Sequence, residues 1–200
     1  GGFILGGQYA KSAMHDGDSA LTYGNLDGAA LGFNAGGTIG FNAQHGSLVY
    51  GLEADAAFAP SDTGNIDGWN SAYHASTQTH WLATARARAG YAFDNMLLYL
   101  TGGAAFVNAT HNAIHNDTCD GSASYCATAT ETGFAAGAGF ETTIAPQMSI
   151  KAEYLYLGMP SLSVIGHGAP YSWSDSAHLL RVGMNYHLSD GTAHAQSNEG

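Results

Sequence analysis

The side chains of this sequence best suited to chemistry are two carboxylates and two guanidinium groups, each pair spaced two residues apart. Glu53 and Asp55 have a spacing compatible with general acid and base catalysis, because alternate residues of a strand share one face. Arg86 and Arg88 repeat this spacing in a later apolar stretch. Opposite charges on neighbouring strands pair readily, so we interpret the four residues as part of an interior salt-bridge network.

The other candidate ligands are histidines, of which the chain has 10. His111 and His115 are four residues apart and would share one face of a helix, but their segment has the composition of a loop. No metal-ligand spacing recurs among the remaining histidines. We therefore interpret the histidines as solvated loop residues and predict neither a metal site nor a cofactor.

The two cysteines, Cys119 and Cys126, lie close together in a polar stretch. A metal site would need more ligands at tighter spacing, whereas two nearby cysteines fit one local disulfide in an oxidising compartment. We predict that Cys119 and Cys126 are joined by a disulfide bond.

The composition excludes several classes of protein. There are 5 Lys and Arg residues against 16 Asp and Glu, for a formal net charge of −11. So few basic residues exclude nucleic-acid binding, which needs clustered Lys and Arg to neutralise phosphates. Hydrophobic residues make up 45% of the chain, which is too many for a disordered protein. The sequence opens with two glycines and has no basic region at its start, so we expect any leader peptide to have been removed.

The segments that contain these residues alternate between apolar and polar side chains with a period of 2, which predicts strands. In residues 80–93, Trp81 and a series of alanines share one face, while Arg86 and Arg88 lie on the other. The same alternation predicts eight strands in all, at residues 3–13, 31–43, 48–58, 80–93, 97–107, 132–143, 148–156 and 180–188.

The connections between these strands alternate in length. Short turns are predicted at residues 44–47, 94–95 and 145–147, and long polar loops at 15–28, 60–79, 108–130 and 160–176. This alternation predicts an all-β fold, an eight-stranded antiparallel up-and-down barrel with four long loops at one end. We assign residues 1–188 to the barrel and 189–200 to a polar C-terminal tail.

The two faces of the predicted strands differ in a way that indicates a transmembrane barrel. One face is apolar, with aromatic residues near both ends, as in a lipid-facing band. The opposite face carries four acids and four bases, a balance that suits an enclosed lumen where each buried ion must find a partner. The predicted lumen network consists of Glu53, Asp55, Arg86, Arg88, Glu141, Lys151, Glu153 and Arg181.

Five segments resemble the small outer-membrane "porin family" barrels, the OmpA-like surface antigens of alphaproteobacterial type. These segments are residues 36–42, 50–55, 85–93, 99–105 and 151–156. The Arg-x-Arg-x-Gly-Tyr-Ala-Phe and Thr-Gly-Gly-Ala segments are the most specific of them. The resemblance covers predicted strands two to eight and implies an eight-stranded barrel in a Gram-negative outer membrane, with its long loops outside the cell.

Because some barrels of this kind modify lipid A, an enzymatic function has to be considered. Such an enzyme needs a serine and a histidine on the lipid-facing surface, with an acid that orients the histidine. His80 and His178 lie at strand ends without a serine in matched outward register. We predict no catalytic residues and no enzymatic activity.

The function predicted from the sequence is therefore a structural, surface-exposed barrel with a charge-plugged lumen that displays acidic loops. Its partner on the outer face is outer-membrane lipid. Two alternatives remain at this stage: a barrel that self-assembles as a homo-oligomer or captures a ligand through its loops, and a narrow solute pore. An eight-stranded barrel is just wide enough for side chains to fill, which argues against a wide channel.

Overall fold

The computed structural model describes residues 1–16, 25–64, 66–67, 73–115, 125–160, 162–166 and 169–188. Within these residues the secondary structure consists of ten β-strands. Their bounds are β1 Gly2–Asp16, β2 Asn25–His45, β3 Leu48–Asp62, β4 Ile66–Asp67, β5 Tyr73–Phe93, β6 Met96–His115, β7 Tyr125–Ala145, β8 Met148–Gly158, β9 Leu162–Gly166 and β10 Ala169–Tyr186. No described helix is long and apolar enough to cross a membrane.

Eight of the strands form a closed antiparallel ring in the order β1-β2-β3-β5-β6-β7-β8-β10. The ring closes because β1 pairs with β10 along its whole length, from Gly2 opposite Asn185 to Asp16 opposite Tyr171. The short strands β4 and β9 extend the sheet from β5 and β10 at the long-connection end. The predicted eight-stranded up-and-down barrel is confirmed.

The short turns at the opposite end contain the backbone conformations that tight hairpins require. Gly46, between β2 and β3, has a φ of 61°, a region that glycine enters without steric cost. Asp94, between β5 and β6, has a φ of 50°, and aspartate is one of the few other residues that tolerate it. These turns fix the register in which each strand meets its neighbour.

Along the strands, side chains alternate between the outside of the ring and its lumen. Tyr50 and Trp81 are 55% and 40% exposed on the outside, where most of the large apolar residues lie. Arg86 and Arg88, on the other face of the strand that carries Trp81, are buried in the lumen. The barrel therefore has an apolar exterior and a charged interior, the reverse of a water-soluble barrel.

The strands are longer than the hydropathy pattern predicts. Residues 108–115 and 125–130 are strand, although both were predicted to be loop, and β2 already begins at Asn25. At this end polar side chains pair across the wall: Thr110 Oγ1 lies 2.7 Å from Thr128 Oγ1, for example. The strands thus continue beyond the aromatic residues, where the outward side chains need not be apolar and the alternation in hydropathy disappears.

A β-bulge in β5 changes which side chains face inward. Thr79 and Trp81 pair with the consecutive residues Ala109 and Asn108, so His80 is the extra residue. Because side chains alternate with a period of 2, one extra residue exchanges the inward-facing and outward-facing positions on the far side of the bulge. Trp81 therefore points outward while Thr77, also odd-numbered, is buried in the lumen.

Two predictions fall partly or wholly outside the described residues. Cys119 is not among them, and Cys126 is the second residue of β7 rather than part of a loop. The Cys119–Cys126 disulfide therefore stays a prediction. The tail predicted at residues 189–200 also lies outside the described part of the chain.

Candidate functional site

The candidate site is the charged layer of the lumen, and Arg86 lies at its centre. Glu53 of β3 is the direct cross-strand partner of Arg86 of β5. The Arg86 guanidinium donates to Glu53 at 2.8 Å, to Asp55 at 2.8 Å and to Glu153 at 2.9 Å. Its Nε also donates to Thr84 at 2.8 Å. One arginine thus joins carboxylates from two different sides of the barrel.

A second pair of bases continues the layer across the lumen. Arg181 of β10 donates to Asp55 at 2.8 Å and to Glu153 at 2.7 Å. Lys151 of β8 donates from Nζ to Glu53 at 2.7 Å. Because Glu53 and Asp55 lie on β3, these bonds connect walls that are far apart in the order of strands.

Arg88 extends the network toward the short-turn end. It donates to Glu141 at 2.7 Å and more weakly to Glu53 at 3.4 Å, and its guanidinium lies 4.5 Å from the centre of the Tyr99 ring. Glu141 also accepts hydrogen bonds from Ser149 and Asn185. This carboxylate is therefore paired with a base and with neutral donors.

The structure brings all eight residues of the predicted lumen network into one connected set, each of them 1–7% exposed. A Cβ at Gly103, which faces Arg86 from β6, would lie 2.7 Å from the Arg86 Cα, so glycine leaves room for this set. With four acids against four bases, each carboxylate has a base within 2.9 Å. Carboxylates held in this way tie the walls of the barrel together.

A second layer of the lumen was missed by sequence reasoning, and it is apolar. Leu155 and Leu179 lie two residues from Glu153 and Arg181, and Leu82 lies four residues from Arg86, in each case on the same inward face and nearer the long-connection end. The full buried cluster contains Ile4, Ala57, Ala59, Leu82, Ala105, Ala135, Leu155, Leu157, Met159 and Leu179. The inward register, extended beyond each charged residue, would have found it.

The interpretation of the histidines as solvated loop residues is wrong for His111. This residue lies in β6, is 1% exposed and points into the lumen. His115 is the last residue of the same strand. His80 contacts Thr110 Oγ1 at 2.9 Å, and His178 contacts the Tyr154 hydroxyl at 2.7 Å. Neither of these two contacts is the serine–histidine pair that a lipid-modifying enzyme would need.

A closed eight-stranded ring with an apolar outside and a paired, charged inside defines a transmembrane β-barrel. The comparisons with known proteins agree with this class. The family model described as "Outer membrane protein beta-barrel domain" matches residues 1–187, and the chain belongs to this family. It is a protein of the bacterial outer membrane.

Two relatives support the assignment. The 31 kDa outer-membrane immunogenic protein of Brucella melitensis is 32% identical over 200 residues, an alignment that covers 93% of this chain and 82% of the relative. The 22 kDa outer membrane protein of Rhizobium leguminosarum bv. viciae is 30% identical over 160 residues, covering 78% of this chain and 62% of that protein. The resemblance noted from the sequence is confirmed.

Solved structures show the same fold at low sequence identity. The outer membrane protease OmpT from Escherichia coli matches with a TM-score of 0.54 at 10% identity, covering 92% of this chain and 95% of that one. The outer membrane protein OprG from Pseudomonas aeruginosa matches with a TM-score of 0.53 at 13% identity, covering 94% and 96%. At these identities the comparison concerns the fold alone.

Proposed function

We propose that this protein is a closed structural barrel that conducts no solute and that displays its long, acidic connections on the cell surface. The observation that carries the proposal is that two layers of buried side chains fill the lumen. A layer of four acids and four bases spans the interior, and an apolar layer built around Leu155 and Leu179 lies directly above it. An ion that entered would have to displace buried salt bridges and then cross an apolar layer.

The first test is electrical. Purified protein reconstituted into planar lipid bilayers should give no discrete conductance steps, because an ion would have to break buried salt bridges and then pass the apolar layer. The folded state of the same preparation is verified by the mobility difference between unboiled and boiled protein on a gel, so that an absence of conductance steps is not the result of unfolded protein. Reproducible single-channel steps would overturn the proposal in favour of a narrow pore.

Surface display is supported by charge and by the relatives. Four of the five basic residues belong to the balanced network, so the acidic excess of the chain lies outside it. Of the 12 acids outside the network, 8 lie in residues 15–28, 60–79, 108–130 and 160–176, at the long-connection end, in the outer parts of the strands and in the connections between them. The name of the Brucella relative describes an immunogenic protein of the outer membrane, as expected for exposed segments. The apolar exterior would then face outer-membrane lipid, with the long connections outside the cell.

The orientation can be tested with the two lysines of the chain. Lys11 is exposed near the long-connection end of β1, whereas Lys151 is 1% exposed inside the lumen. A membrane-impermeant amine reagent added to intact cells should therefore modify Lys11 and leave Lys151 unmodified, as read by mass spectrometry of the peptides.

The Lys11→Gln variant provides the control, because it should lose this labelling while the barrel stays intact. Labelling of Lys11 only after the cells are broken would place the long connections on the periplasmic side. That result would contradict the proposed surface display, but it would not bear on the proposal that the lumen is closed.

A further inference from the structure

Three side chains with metal-ligating atoms meet in the lumen beyond the apolar layer, at the long-connection end. They are His111 of β6, Glu131 of β7 and Asp175 of β10. The His111 Nε2 atom lies 2.6 Å from Glu131 Oε1 and 3.6 Å from Asp175 Oδ2. One potential ligand atom from each of the three residues can be chosen so that the three atoms lie within 4.8 Å of one another. None of them belongs to the salt-bridge network described above.

One carboxylate of this cluster is incompletely paired. Asp175 Oδ1 is buried and has no hydrogen-bond partner among the described residues. A buried carboxylate oxygen without a donor costs free energy, because it has lost its water and gained nothing in return. Asp175 lies beside a second carboxylate and an imidazole, and a cation is the kind of partner that two neighbouring carboxylates favour.

The chain has no lysine or arginine left to supply that cation. Four of its five basic residues are committed to the balanced network below. The fifth, Lys11, is exposed on the outer face, with Nζ 5.6 Å from the centre of the Tyr9 ring. Among the described residues, the group that brings positive charge to Glu131 and Asp175 is therefore the His111 imidazole, and an ion from solution is a further source of it.

The imidazole is held by its second nitrogen. His111 Nδ1 lies 3.1 Å from Thr77 Oγ1, which lies 3.0 Å from Ser12 Oγ. The bulge at His80 is what turns Thr77 inward to make this contact. A hydroxyl on Nδ1 fixes the ring and directs Nε2 toward the two carboxylates, the arrangement that metal-bound histidines commonly have.

There is also room for the remaining ligands of an ion. A cavity of about 40 Å³ reaches the cluster at Asp175 and is lined there by the hydroxyl residues Ser12, Thr77 and Ser176; the rest of its lining is a mixture of polar and apolar residues that includes Lys11. One water molecule needs roughly 10–15 Å³ of such volume, so one or two waters fit beside the cluster. Two ligands about 2.0–2.1 Å from a tetrahedral ion lie roughly 3.3 Å apart. The observed separations of 2.6 and 3.6 Å lie on either side of that value.

We propose that His111, Glu131 and Asp175 form a binding site for a divalent transition-metal ion of the Zn²⁺ type. One imidazole nitrogen and two carboxylate oxygens suit Zn²⁺, with water completing four-coordination, whereas Ca²⁺ and Mg²⁺ prefer oxygen ligands alone. The ion neutralises the two carboxylates and joins strands β6, β7 and β10 at the open end of the barrel.

The test is isothermal titration calorimetry of Zn²⁺ into folded, chelator-treated protein in detergent, with the optical spectrum of bound Co²⁺ as a second readout. The wild type should bind one ion at this site. His111→Gln and Asp175→Asn should each weaken this binding by at least about 100-fold, and Thr77→Val by roughly 10–100-fold, because loss of an outer-shell partner has effects of that size. The folded state of every variant is checked by the gel shift of unboiled protein.

His178→Gln is the matched control, because His178 is on the outer face and should leave Zn²⁺ binding unchanged. Absence of binding to the wild type would mean that His111 serves only as an ion-pair partner of the carboxylates, and would overturn the proposal. Binding of equal strength in His111→Gln and Asp175→Asn would place the ion on other histidines and would also overturn it. If His111→Gln does not fold, Asp175→Asn decides the question.

Discussion

Replacement of Arg86 by alanine is expected to lower the free energy of unfolding by about 3–5 kcal/mol, because it leaves buried carboxylates without their base. Arg86 is the base shared by Glu53, Asp55 and Glu153. The measurement is urea-induced unfolding in lipid vesicles, followed by tryptophan fluorescence. Arg86→Lys, which keeps the charge but loses the forked geometry, should fall between the wild type and Arg86→Ala.

Two further variants make this result specific to the network. Arg86→Ala combined with Glu53→Ala should cost less than the sum of the two single changes, because residues that contact each other are not additive. Lys11→Ala, which removes the exposed basic residue outside the network, should change the free energy by less than about 0.5 kcal/mol. An equal effect of Arg86→Ala and Lys11→Ala would show that the buried ion pairs do not hold the barrel together.

The cost in stability of an arginine on the outer face should depend on its depth in the membrane, and should be largest in the middle of the apolar belt. Ala85 is exposed and pairs with Ala54 and Ala104, in the middle of the apolar belt. Ala85→Arg should lower the free energy of unfolding in lipid vesicles by about 2–4 kcal/mol, since the guanidinium would have to enter hydrocarbon.

Ala89→Arg is the matched control on the same strand and the same face. Ala89 is exposed and pairs with Tyr50, one of the aromatic residues near the short turns, so the guanidinium can reach the interface. This change should cost roughly 0–1 kcal/mol. Equal costs at Ala85 and Ala89 would mean that this face of the barrel does not contact lipid.

The inward charges were predictable from the sequence because a period of 2 assigns every residue of a strand to a face. In residues 80–93, two arginines among alanines are enough to predict both the strand and its lumen-facing side. Charge balance then indicates that the face is enclosed. The sequence has no comparable pattern that predicts which acid each base will pair with. Arg86 pairs with Glu153 as well as with its cross-strand neighbour Glu53, and the contact with Glu153 depends on the curvature of the closed ring.

The parts that sequence reasoning missed have identifiable physical causes. The strands beyond the aromatic residues are polar on both faces, so 108–115 and 125–130 have the composition of loops although they are hydrogen-bonded strand. The bulge at His80 inverts the alternation without changing the composition, which hid the inward position of Thr77. His111, Glu131 and Asp175 are inward in the same register as the network, but His111 and Asp175 lie on segments that were assigned to loops, and Glu131 lies just outside the predicted strand 132–143.

Closure of the ring between β1 and β10 has a consequence for the order of events during folding. Arg181 meets Asp55 across 126 residues of sequence, and Lys151 meets Glu53 across 98. Contacts so distant in sequence form late and slow the search for the native state. Glu53 and Asp55 can pair with Arg86 as soon as β3 meets β5, but until the last strands arrive the half-built wall lacks Lys151 and Arg181, and its incompletely paired charges cannot enter hydrocarbon at low cost. Insertion and closure must therefore proceed together, as one concerted transition.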